Sequence, residues 1–186
     1  MNPSHKRLTW RMRCLITAAA FLVSQATGQF VFRDEFEARA AYLQEFARLV
    51  EWPTNRLGDT NLPLVVGILG SDPWKGRLAE YLNKPVHGHR VEVKPYRSVQ
   101  DAKDEAHILF ISSSEERKLQ QVFGHLRQKR ILTIGETKRF AILQGMICFH
   151  TPGTPDYSVN TNAAAQAKLP LDPLIVQAAK PAPWDK

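Results

Sequence analysis

PLVVGILGSDPW, residues 63–74, is the stretch from which the fold can be read. PLVVGILG is short and almost wholly apolar, the pattern of a strand buried on both faces rather than half-exposed. A helix is expected directly after it, capped by Ser71 or Asp72, with Pro73 in its first turn and WKGRLAEYL as its body. Moving towards the C-terminus, RVEVK (90–94) alternates strictly and reads as a second strand with one wetter face. VQDAKDEA is a short polar helix, and HILFIS (107–112) is a third strand. Ser113 and Glu116 form a capping box ahead of the helix EERKLQQVFGHLRQ. RILTIGE (130–136) is a fourth strand, and TKRFAILQ is a short helix closed by Gly145.

MICFHT (146–151) and DYSVN (156–160) flank the turn residues TPGTP and read as an antiparallel hairpin with a loop longer than the tightest type. NAAAQAKL and PLIVQAA supply one or two last helices before the tail KPAPWDK, frayed apart from Trp184. In the other direction lies AAYLQEFARLVEWP (40–53), within a helix expected from about Asp34 to Glu51. Its Tyr42, Leu43, Phe46, Leu49 and Val50 recur three and four apart on one face. Trp52, at the helix end before Pro53, is read as a core plug beneath the first strand. Strand alternating with helix defines an α/β class. The expected architecture is a single three-layer domain with a mostly parallel sheet, helices on both faces and a C-terminal antiparallel hairpin.

Residues 1–28 are read as a secretory signal peptide outside that domain, which spans 29–186. Lys6, Arg7, Arg11 and Arg13 precede the apolar run CLITAAAFLV, too short to span a membrane. Ala26 and Gly28 place small residues at the −3 and −1 positions of a cut after Gly28; a retained, anchored N-terminus is the alternative. The leader holds four of the 25 basic residues and none of the 18 acidic ones, so 21 stand against 18 once it is removed. The pI of 9.6 thus overstates the basicity of the mature protein. Arg127, Lys129 and Arg130 form the densest basic cluster, with no aromatic platform among them, so nucleic-acid binding has no support.

The mature chain keeps one cysteine, Cys148, so no internal disulfide can form. Alternation in MICF places it on the opposite sheet face from Ile147 and Phe149, as a buried inert thiol in preference to an intermolecular bridge or redox sensor.

Chemistry-bearing patterns are sparse. GSDPWKG contains neither G-x-G-x-x-G nor G-K-[ST], and FISSSEER lacks the G-x-S-x-G of a nucleophile elbow. Ser113 is accounted for as a helix cap. His87 and His89 in HGH lack a third ligand and read as surface-loop residues, while His107, His125 and His150 are scattered. Asp101, Asp104 and Glu105 read as a solvated helix face. No metal and no cofactor is expected, and no catalytic residue is assigned.

Several segments, in order, resemble the YfiR-like family of small periplasmic proteins. Arg39, Ala40, Leu43, Phe46, Leu49, Val50, Trp52 and Pro53 occupy its early helical pattern. Leu69, Gly70, Asp72, Pro73 and Trp74 match its first strand end. His107 to Ser112, Ser114 and Glu115 match the third strand, and Ile131 to Glu136 the fourth. Gly145, Met146, Ile147 and Phe149 follow, then Tyr157, Val159, Asn160 and Ala164. Trp52 thereby serves as a family marker as well as a core plug.

The resemblance implies a periplasmic repressor, not an enzyme, that binds the periplasmic sensor domain of a membrane diguanylate cyclase and lowers cyclic di-GMP and biofilm formation. It also implies an OmpA-like outer-membrane lipoprotein as a sequestering partner, and a homodimer. Two departures stand out. The cysteine pairs of better-studied members are missing, and the last helix begins LPLDPLIVQ, with Pro170 and Pro173. Phe149, Tyr157, Asn160 and Leu171 are assigned as partner-contact residues. The alternative is a periplasmic small-ligand module with a pocket near Ser71, Asp72, Ser112 and Ser113.

Overall fold

The computed structural model describes residues 35–59, 61–150 and 156–183. The leader, the TPGTP turn and Trp184 lie outside them. The first element is α1, Glu35–Leu49. Strands β1 (Leu64–Leu69), β2 (Val91–Tyr96), β3 (Ile108–Ile111), β4 (Leu132–Gly135) and β5 (Ile147–Phe149) run parallel, and β6 (Tyr157–Val159) is antiparallel to β5. Their spatial order is β2-β1-β3-β4-β5-β6. The intervening helices are α2 (Leu78–Tyr81), α3 (Val99–Ala102), α4 (Leu119–Leu126) and α5 (Lys138–Ile142), followed by α6 (Thr161–Gln166) and α7 (Pro173–Gln177).

This is the expected mixed α/β architecture. Every residue of β1, β3, β4 and β5 is buried, as all-apolar runs require in a sheet covered twice. On one face α1, α2, α6 and α7 pack Leu43, Phe46, Leu78, Ala164 and Ile175 against Val66, Ile108, Ile134 and Phe149. On the other face α3, α4 and α5 pack Val99, Leu119, Val122 and Phe140 against Leu69, Leu109, Ile111 and Cys148. The strands that alternated or held proline stand at the edge: β2, with Pro95, pairs only with β1, where a missing N–H costs no ladder bond.

Local details depart from the reading of the sequence. No helix starts at Pro73. The Asp72 carboxylate accepts the N–H groups of Trp74 and Gly76, and left-handed backbone at Lys75 and Gly76 delays the helix to Leu78. The cap ahead of residues 113–118 is Ser112, whose hydroxyl accepts the Ser114 N–H, and that segment is a 3-10 turn leading into α4. Among the described residues the fully buried tryptophan is Trp74, 1% exposed, with its indole N–H on the Phe36 carbonyl. Trp52 is half-buried: its Nε1–H donates to Ala47 O, and its ring meets His107 edge-on. His89 is buried, not a surface residue, with its Nδ1 2.8 Å from Leu62 O; His87 beside it is exposed.

Candidate interaction surface

In open parallel sheets, ligands bind at the carboxyl ends of the strands, where the winding reverses. Here that point falls between β1 and β3, and local bonds fill it. Ser114 Oγ accepts the Ser71 N–H at 2.9 Å, stitching the two strand ends together. Gly70 has φ +92°, and a Cβ there would press on Ser114 and Glu115. Asp72 and Ser112 are spent on their turns. The Ser113 N–H donates to Glu136 at the end of β4, and Glu136 in turn pairs at 2.9 Å with Arg39 of α1. The buried Arg39 guanidinium lies 5.5 Å from the Phe149 ring centroid. Of the four polar residues read as a pocket, Asp72 and Ser112 thus serve their own turns, while the N–H groups of Ser71 and Ser113 join Ser114, Glu136 and Arg39 in a latch tying α1 to three strand ends.

Cys148 sits, as alternation required, on the opposite face from Ile147 and Phe149. Burial pushes its thiol up to about 12, and the Glu136 carboxylate adds to the rise while Arg39 opposes it. Such a thiol is neutral and unreactive. Among the described residues, no group of three His, Cys, Asp or Glu is placed to hold a metal ion.

The four residues assigned to partner contact fall together but play different parts. Phe149 is 0% exposed and Tyr157 3%. They join Tyr42 and Phe46 in an aromatic cluster, with Phe46 and Tyr157 4.9 Å apart and T-shaped. The Tyr157 hydroxyl donates to Ile175 O, anchoring α7. Asn160 caps α6 by accepting the Ala163 N–H. Phe149 and Tyr157 thus support the surface from beneath, while Asn160 is half-exposed at the start of α6. Leu171 is half-exposed; it bridges to Val50 and lines an apolar cavity of about 340 Å³ with Ala164, Leu169, Pro170 and Val176.

The exposed residues are ones the sequence reading passed over. Leu174 is 58% exposed and Val176 is also exposed, because only Ile175 of α7 turns inward. The signal was present in LPLDPLIVQ: Asp172 and Pro173 mark a helix start, and because successive side chains on a helix point about 100° apart, one packed face cannot take Leu174, Ile175 and Val176 together.

These features define an open, mostly parallel α/β domain with a closed strand-end crevice and an apolar face on its last helices. A family model described as YfiR/HmsC-like matches residues 36–180, and the chain belongs to that family. Membership points to a regulatory rather than a catalytic protein. No curated protein matches the chain. Among solved structures, it is similar to a conserved domain protein from Vibrio cholerae O1 biovar El Tor strain N16961, at a TM-score of 0.56 and 10% identity. That likeness covers 79% of this chain and 60% of the other, and it bears on the fold alone.

Proposed function

We propose that this protein is exported to the periplasm, loses its leader after Gly28, and represses a membrane diguanylate cyclase by binding the cyclase's periplasmic sensor domain. What supports the reading is family membership over residues 36–180. The contact surface in this reading is the α6–α7 face, where Leu171, Leu174 and Val176 lie open over the buried Tyr157 and Ile175. Repression works as a population shift: turning a 1:99 preference into 99:1 needs binding that favours the inactive cyclase by about 5.5 kcal/mol. An OmpA-like lipoprotein and a second copy of the chain are further partners under the same reading.

The test is deletion of the gene, with cellular cyclic di-GMP measured before and after a leader-bearing copy is restored. The level is expected to rise and then return. A level that deletion leaves unchanged would overturn the repressor reading.

A further inference from the structure

We propose that the groove between α4 and α5 docks an acidic, amphipathic helical segment of a partner protein. Its floor is Gly124, in the interior of α4, where glycine is the poorest residue short of proline. Every other described glycine has either a positive φ or a neighbour in the way of a Cβ; a Cβ on Gly124 would meet nothing within 4 Å. The fold itself therefore does not require this glycine. An outside ridge that approaches the helix backbone would.

The walls suit such a ridge. Phe123, Ile142 and Leu143 supply the apolar walls of about 260 Å³ of open groove, and Gln120, Gln144 and Arg127 its polar ones. Ile142 is 64% exposed, the most exposed large apolar side chain among the described residues. Phe123 rests its inner side on Phe140, with ring centroids 5.5 Å apart. The groove runs on past Phe123 into a cleft beside Gln166, the last residue of α6, and Ala167 after it.

The rim sets the charge of the occupant. Arg127 lines the groove, and Lys138 and Arg139 stand one turn before Ile142, on the same side of α5. All three are exposed, and none has an ion-pair partner among the described residues. No carboxylate lines the groove or its extension. An apolar stripe flanked by Glu or Asp fits this pattern, as amphipathic helices lie in grooves by anchors spaced three and four apart. A concave floor favours a helix over a bilayer, which would require a protruding apolar surface.

Binding is tested on the purified protein with a labelled synthetic helix carrying leucine on one stripe and glutamate on its flanks. The same helix with lysine flanks and anionic phosphatidylglycerol vesicles serve as rivals. The glutamate helix is expected to bind at least about tenfold tighter than the lysine helix, with a steep loss in salt. Arg127→Glu with Arg139→Glu should reverse that preference. Gly124→Leu should abolish binding. Gly124→Ala, which should raise the melting temperature by removing a helix-interior glycine, should weaken binding and so separates occlusion from misfolding.

Absence of glutamate-helix binding, equal binding of the two helices, or binding indifferent to Gly124→Leu would overturn the proposal. So would a stronger dependence of vesicle binding on the same residues. The assay needs no cyclase, so its failure and that of the repressor reading are told apart.

Discussion

His107 shows how much one side chain can hold. Its Nδ1 accepts the Val65 N–H at 3.1 Å and its Nε2 donates to Arg56 O at 2.8 Å, so the neutral ring replaces a ladder bond and pins the loop after Trp52 to β1. Burial, with the Arg56 guanidinium and His89 nearby, holds its pKa below the ordinary 6.5; the bond to Arg56 O opposes this. Between the two values the unfolded chain binds more protons than the folded one, so stability increases with pH there. Stability should therefore be full above 6.5, fall as the pH drops through that value, and level off below the folded pKa. Asp104 and Glu105 lie below 3.8 and 4.5 and act only in more acid solution. Urea midpoints measured across this range should show the slope in the native chain and a flatter profile in His107→Gln. Identical profiles would refute the assignment. None of this was legible from the sequence, where His107 is one of several scattered histidines: its role depends on residues 42 and 51 positions away.

At the scale of elements, the α5–β5 junction separates what periodicity can tell from what packing adds. Gly145 was read as the stop of the helix, and the Gly145 N–H does close it on Phe140 O at 2.9 Å. Yet the left-handed residue is Gln144, φ +80°, not the glycine. Gly145 is needed because the Phe140 ring occupies the place of its Cβ, and the same ring blocks a Cβ at Gly135. Gly145→Ala should therefore cost about 1–3 kcal/mol by overpacking, read from urea unfolding. Combined with Phe140→Leu, which gives up ring volume, the cost should be less than additive; strict additivity would show that the ring is not the obstacle. The strands, the hairpin and most helices were legible, since period and apolar runs are local properties. The delayed start of α2 and the shift of the cap from Ser113 to Ser112 were not. Asp72 and Ser112 choose among backbone N–H groups only a few residues apart, and the Ser113 N–H is drawn to Glu136, 23 residues on.

For the whole molecule, the layering decides which residues can meet a partner. Leu174 points outward because Ile175 is the residue of α7 turned into the core, with its carbonyl held by the Tyr157 hydroxyl. Leu174→Asp should leave stability within about 0.5 kcal/mol, being an exposed substitution in the first turn of α7, where an acid is tolerated. Under the repressor reading it should nonetheless raise cellular cyclic di-GMP towards the level of the deletion. A native level from a folded variant would remove the α6–α7 face as the contact. The sequence by itself determined the α/β class, the buried strands, the antiparallel last pair, the face on which Cys148 lies and the family, because each is written in local pattern or ordered motif. Tertiary structure alone decided that Trp74 rather than Trp52 is sealed in the core, that Phe149 and Tyr157 support the surface without reaching it, and that the strand-end crevice is latched by Arg39 and Glu136. Those outcomes rest on contacts between residues far apart in the chain, 97 positions in the case of Arg39 and Glu136, and no local period encodes such a distance.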